Sequence, residues 1–171
     1  MTRRHLVLVG LPGSGKSTVG PLVAAQLDTH FTDLDPVIVR ATGLTVADLF
    51  ETEGEAAFRT LERQALLDAL LLPPHVVAPG GGWAAEPGNL DEVRERITAI
   101  YLRVLPAVAA GRLDGALDRP LLAGGDVEGR LRVLLAAREG CYRSAGQVVD
   151  ANDEPGLVTD RVVAAARSAG W

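Results

Sequence analysis

Five short apolar runs recur along the chain: HLVLVG (5–10), FTDLD (31–35), HVVAP (75–79), TAIYL (98–102) and QVVDA (147–151). The first is almost uninterrupted and ends in glycine, the pattern of a strand buried on both faces. Between the runs the apolar spacing becomes helical, over 16–27 and roughly over 47–71, 87–96, 106–113, 127–142 and 155–169. Strands alternating with helices predict an α/β fold whose parallel sheet is covered on both faces. No repeat, low-complexity block or linker divides the chain, so one domain spanning 1–171 is expected. One stretch, LDGALDRPLLAGGD (113–126), is rich in glycine and poor in apolar anchors, and reads as a mobile lid.

Composition narrows the function classes. Apolar residues make up 47% of the chain and charged ones 23%, the balance of a soluble globular protein. The net charge of -5 provides no basic field, which argues against nucleic acid as a partner. The single cysteine, Cys141, excludes an internal disulfide and fits a reducing compartment. The apolar start is too short and breaks too soon, at Gly10, for a signal peptide, and no stretch has the length of a membrane span. A cytoplasmic location is therefore expected. Lys16 is the only lysine in an arginine-rich sequence, and it stands where chemistry requires one.

That place is GLPGSGKS (10–17), which follows the first run and opens the first helix in the pattern G-x-x-x-x-G-K-[ST]. Glycines let backbone N–H groups converge on phosphate oxygens, and the helix turns its positive dipole end to the same oxygens. Gly13, Ser14, Gly15, Lys16, Ser17 and Thr18 are the expected nucleotide contacts, with Lys16 on the β- and γ-phosphates and Ser17 on Mg²⁺. Two carboxylates, Asp33 and Asp35, sit at the end of the second run, where strand alternation would point them to one side. One can hold Mg²⁺ through water while the other takes a hydroxyl proton from an acceptor. Alone, either could equally be a helix cap or turn residue.

In GEAAFRTLE (54–62) an arginine, Arg59, lies beside Phe58 and one helical turn before Glu62. The guanidinium is the best partner for a planar carboxylate, which it can bind bidentately. A surface Arg–Glu pair beside a core phenylalanine would look the same in isolation.

The motifs GLPGSGKST, FTDLD, FETEGEAAFRTLE, GGG and LDRPLL, in that order, resemble those of the shikimate kinase family, within the nucleoside-monophosphate-kinase-like group of P-loop folds. The pattern F-x-x-x-G-E-x-x-F-R-x-x-E is met in full by Phe50, Gly54, Glu55, Phe58, Arg59 and Glu62, and the resemblance runs from about Leu6 to Asp150. It implies a three-layer α/β/α fold with a five-stranded parallel sheet in the order 2-3-1-4-5, a mobile lid at about 113–126 and acceptor-binding helices within about 36–71. It implies ATP and Mg²⁺, the latter held by Ser17 and Asp33, and transfer of the γ-phosphoryl group to the 3-hydroxyl of shikimate. Lys16, Asp35 and Arg119 would then be catalytic, with Arg112 near the adenine. Arg59 and Arg138 would clamp the acceptor carboxylate, Glu62 would orient Arg59, and Gly80, Gly81 and Gly82 would line the acceptor pocket beside Asp35. A monomer without nucleic-acid or membrane partners is expected.

Two residues depart from the family pattern, Pro79 where a small hydroxyl residue is usual and Trp83 where a small one is. The ring of Trp83 either reshapes acceptor specificity or packs outside the pocket. Phosphorylation of another carboxylate-bearing polyol such as gluconate, or a catalytically silent ATP-binding module, are the alternative readings. His5, His30 and His75 show no metal-ligand spacing.

Overall fold

The computed structural model describes residues 3–113 and 125–171. Five strands, β1 (His5–Val9), β2 (Phe31–Asp33), β3 (Val76–Ala78), β4 (Ile97–Arg103) and β5 (Gly146–Asp150), form one parallel sheet in the order β2-β3-β1-β4-β5. β1 is central and wholly buried, with Leu6 and Val7 in register with Val76 and Val77, and Val9 with Tyr101.

Because strand side chains alternate, β1 feeds two cores. Leu6 and Leu8 join Val19, Val23, Ile100, Leu102, Val158 and Val162 under α1 (Lys16–Gln26) and, at the other end of the chain, the C-terminal helix Pro155–Ser168. Val7 and Val9 face the opposite layer, with Leu66, Trp83, Tyr101, Leu131 and Tyr142. The helices of that side are α2 (Leu34–Thr42), α3 (Val46–Thr52), α4 (Glu55–Ala69), α5 (Asn89–Val93), α6 (Pro106–Arg112) and α7 (Val127–Ala145), so that the C-terminal helix is α8. A smaller cluster of Ile38, Leu49 and Phe58 joins α2, α3 and α4.

Two sequence expectations change. The second run does not continue as a strand through Asp35: β2 stops at Asp33, which caps α2 by accepting from the Asp35 N–H at 3.3 Å. Pro36, near the start of α2, suits a first turn, where its missing N–H costs nothing. Asp33 and Asp35 thus converge through a helix cap and not through strand alternation. The helix expected over 47–71 is two helices, separated at Gly54, whose φ of 84° lies in the left-handed region and lets the chain turn before α4 begins.

Candidate active site

The switch in strand order places the carboxyl end of β1 between chain crossings that leave in opposite directions, the usual ligand crevice of an open α/β sheet. The glycine-rich loop starts there. Gly13 (φ 78°) lies against α6 so closely that a Cβ would stand 2.7 Å from the Ala109 carbonyl oxygen. Gly15, also left-handed, is the N-cap of α1 and brings no capping side chain, so the first-turn N–H groups face the crevice with the helix dipole behind them. Lys16 Nζ donates to the carbonyls of Gly10 (2.8 Å) and Leu11 (2.9 Å) and to Ser14 Oγ (3.3 Å), which braces the ammonium under the loop. Ser14 is itself buried.

The Ser17 hydroxyl donates to the Asp33 carboxylate. Hard oxygens from a hydroxyl and a carboxylate, beside a phosphate-binding loop, fit Mg²⁺, which takes one or two protein ligands and keeps water and phosphate oxygens for the rest. Asp33 therefore serves both as helix cap and as the partner of Ser17. Among the described residues no cluster of three or more His, Cys, Asp or Glu side chains is grouped to hold a metal by itself.

A cavity of about 480 Å³ runs along the loop, lined by residues 12–19 together with Asp33, Asp35, Pro79, Gly80, Arg112, Ala151, Asp153 and Val158. Arg112 spans its far side, donating to the Gly13 carbonyl at 3.4 Å and to the Asp153 carbonyl at 2.8 Å. It thereby ties α6 to the phosphate loop and to the turn before α8. The expected lid lies almost entirely outside the described residues, Arg119 with it.

Arg59 sits beyond Gly80, on α4. The buried stripe of this helix is Phe58, Glu62, Leu66 and Ala69, so a carboxylate occupies an apolar position. Glu62 is fully buried and accepts from Arg59 Nη1 and from the Gly80 N–H, both at 2.8 Å. Burial pushes its carboxyl above the usual range, against the pull of Arg59 and Gly80, and the nearby Asp35 charge adds to the rise. For Arg59, burial opposes the charge, but Glu62 and Glu55 outweigh it and the guanidinium is held charged more firmly than usual. The rings of Phe58 and Phe50 lie 5.4 and 5.9 Å from the guanidinium carbon. An arginine so flanked has little freedom to leave its plane.

The three glycines are a packing junction. Beside Gly80 lies Glu62 and beside Gly82 the Arg59 guanidinium, each nearer than a Cβ would allow, while a Cβ on Gly81 would stand 2.8 Å from Pro12 Cδ in the phosphate loop. Only Gly80 of the three lines the cavity along the loop; Gly81 and Gly82 are buried. The Tyr142 hydroxyl donates to the Gly81 carbonyl. Burial pushes that hydroxyl up to about 12, against the pull of the Arg138 and Arg59 charges. Tyr142 thus links α7, which carries half-buried Arg138, to the segment that positions Arg59.

Trp83 is 1% exposed and packs in the core under Leu131 and Tyr142, not into the cavity; the Asn89 amide donates to its carbonyl at 3.0 Å. Glu86, 3.7 Å from Arg59 Nε, gave no sequence signal, because its closeness arises from the turn that follows Trp83.

Comparison with known proteins gives this geometry its context. A shikimate kinase from Caldanaerobacter subterraneus subsp. tengcongensis is 40% identical over 151 residues, 88% of each chain. One from Mycobacterium avium is 41% identical over 162 residues, covering 92% of this chain and 90% of the relative. The solved shikimate kinase from Acinetobacter baumannii, in complex with shikimate, superposes with a TM-score of 0.88 at 33% identity, over 94% of this chain and 89% of the other. The sequence model of the shikimate kinase family matches residues 12–167, from the phosphate loop nearly to the end of α8, and a match of that extent shows that the chain belongs to this family.

Proposed function

We propose that the chain transfers the γ-phosphoryl group of ATP to the 3-hydroxyl of shikimate, acting as a cytoplasmic monomer with Lys16, Asp35 and Arg119 as its catalytic groups. It is an ATP-dependent kinase by family. Among the described residues no helix is long and apolar enough to cross a membrane. The observation that carries the acceptor assignment is the buried Glu62, which joins Arg59 to the Gly80 N–H at the edge of the nucleotide cavity. A guanidinium immobilised there suits an acceptor that bears a carboxylate a few ångströms from the reacting hydroxyl. The shikimate complex of the Acinetobacter baumannii relative supports the same acceptor.

In this reading Arg59 and Arg138 hold the carboxylate, and the Gly80–Gly82 backbone supports the ring. Asp35 orients the 3-hydroxyl and accepts its proton. The hydroxyl oxygen forms the new bond to the γ-phosphorus as the bond to the bridging oxygen of ADP breaks. The loop 13–18 and Lys16 stabilise the phosphate charge, and Arg112 supports the nucleotide side. Ser17 and Asp33 would hold Mg²⁺, which would supply positive charge to the phosphates. Arg119 stabilises the charge on the migrating phosphoryl group, a role supported by its sequence motif LDRPLL. Because little covalent work falls to the protein, positioning and electrostatics supply most of the acceleration.

The test is coupled ADP release from MgATP with shikimate, gluconate or no acceptor, for the wild type and Arg59→Ala. Strong shikimate dependence, weakened in the variant chiefly through a higher shikimate KM, is expected. Equal turnover with gluconate, or ATP binding without acceptor-dependent turnover, would overturn the assignment.

A further inference from the structure

Among the described residues, Arg59 is approached by three carboxylates, and they differ in how firmly they are held. Glu62 is fully buried and tied by the Gly80 N–H as well, so it is a permanent partner of Nη1. Glu55 accepts from Nη2 at 2.9 Å, yet its side chain is 47% exposed. Glu86 stands 3.7 Å from Nε with its side chain 41% exposed. Glu55, Arg59, Thr60 and Glu86 line an open cavity of about 450 Å³. The outer edge of the guanidinium is therefore engaged by an anion that can swing into water, while its inner edge is locked.

We propose that Glu55 is a resident competitor for the acceptor: its carboxylate occupies the Arg59 Nη2 donor and is displaced when the carboxylate of the substrate arrives. This rests on the assignment of Arg59 to acceptor binding. The exchange swaps one charge-assisted hydrogen bond for another, so the net cost of displacement is small and the site remains reversible. A neutral acceptor has no charge with which to evict Glu55, so the same residue sharpens selection for acids. An ordinary helix-surface pair has the same i,i+4 spacing, and Glu55 in the first turn of α4 also favours the helix dipole. What sets it apart is that its partner is a guanidinium whose side chain is only 10% exposed and otherwise aligned by Glu62 and two aromatic rings.

Glu55→Gln separates competition from orientation, because the amide oxygen still accepts from Nη2 while the charge is gone. Shikimate KM should fall roughly two- to fivefold, the scale on which an exposed ion pair shifts an equilibrium. The kcat and the MgATP KM should stay unchanged, and Glu55→Ala should move shikimate KM in the same direction. Glu128→Gln, which breaks an exposed i,i+4 pair with Arg132 on α7, is the control and should leave shikimate KM unchanged. An unchanged or raised shikimate KM in Glu55→Gln overturns the proposal, and a lowered melting temperature with unchanged KM marks Glu55 as structural only. Arg59→Ala, measured alongside, separates the two levels. If it leaves shikimate KM untouched, the acceptor assignment fails. If it raises KM while Glu55→Gln does not lower it, only the role of Glu55 fails.

Discussion

Replacing Glu62 with alanine removes a carboxylate sealed from water and two hydrogen bonds of 2.8 Å at once. Removing one partner of a buried ion pair costs about 3–5 kcal/mol, and leaving a buried N–H unsatisfied about 1–3 kcal/mol. Two features reduce the sum. Arg59 keeps Glu55, and burial already holds the Glu62 carboxyl above the usual range, so part of its charge is an existing burden on the fold. A net loss of about 2–4 kcal/mol is expected, which for a chain of this length lowers Tm by roughly 4–16 °C. Glu62→Gln keeps an acceptor for the Gly80 N–H and should cost less than about 2 kcal/mol. Both variants free Arg59 from its inner anchor, and a guanidinium displaced by about 1 Å is enough to weaken acceptor use by an order of magnitude or more. Thermal unfolding and coupled ADP release measure the two effects. The alanine variant should show a shikimate KM raised about tenfold or more, with MgATP KM within about twofold of wild type. Unfolding within about 2 °C of wild type together with an unchanged shikimate KM would refute the bridge as the organiser of the acceptor site.

Other perturbations test separate parts of the structure. Gly13→Ala forces a side chain into a left-handed conformation against the Ala109 carbonyl, so it should cost about 1–2 kcal/mol or more and raise MgATP KM; wild-type unfolding and nucleotide kinetics would exclude the close approach to α6. His5 is held down to about 4, first by burial and then by the charges of His75 and Arg96. It is therefore neutral in the fold: its contribution is complete above pH 6.5 and is lost as pH falls from 6.5 towards 4, by about 3 kcal/mol at most. In urea titrations His5→Gln should show a flatter stability slope than wild type across that window, and equal slopes would contradict it. Trp83→Phe should lower stability by about 1–3 kcal/mol through lost core volume while shikimate KM stays within about twofold, whereas a marked KM change would return Trp83 to the acceptor pocket.

Much of the site was legible because its chemistry is written in short segments. The loop 10–17 combines glycine, lysine and serine at fixed spacing, and its strand and helix neighbours are themselves readable from local apolar periodicity. Arg59 and Glu62 are three apart on one helix, so their pairing follows from helical geometry before any tertiary contact is known. The behaviour of Asp33 and Asp35 was less legible, because a strand end and a helix start share the same residues there and the choice depends on whether Leu34 and Ile38 find a core. Trp83 was ambiguous for a related reason: an aromatic ring after three glycines can turn either way, and the space between α4 and α7 takes it inward.

The sequence by itself determined the alternation of strands and helices, the phosphate loop and the family. Each rests on periodicity or on residues within one turn or one loop, where backbone geometry fixes what meets what. The tertiary structure decided the rest. It brought Gly80 to Glu62, 18 residues apart in the chain, and set the Tyr142 hydroxyl on the Gly81 carbonyl, 61 apart. It also left Glu55 exposed while burying Glu62 on the same helix. Spacing shows that both acids can reach Arg59. Only the packing of α4 against the glycine segment makes one of them a fixed support and leaves the other at the edge of open water.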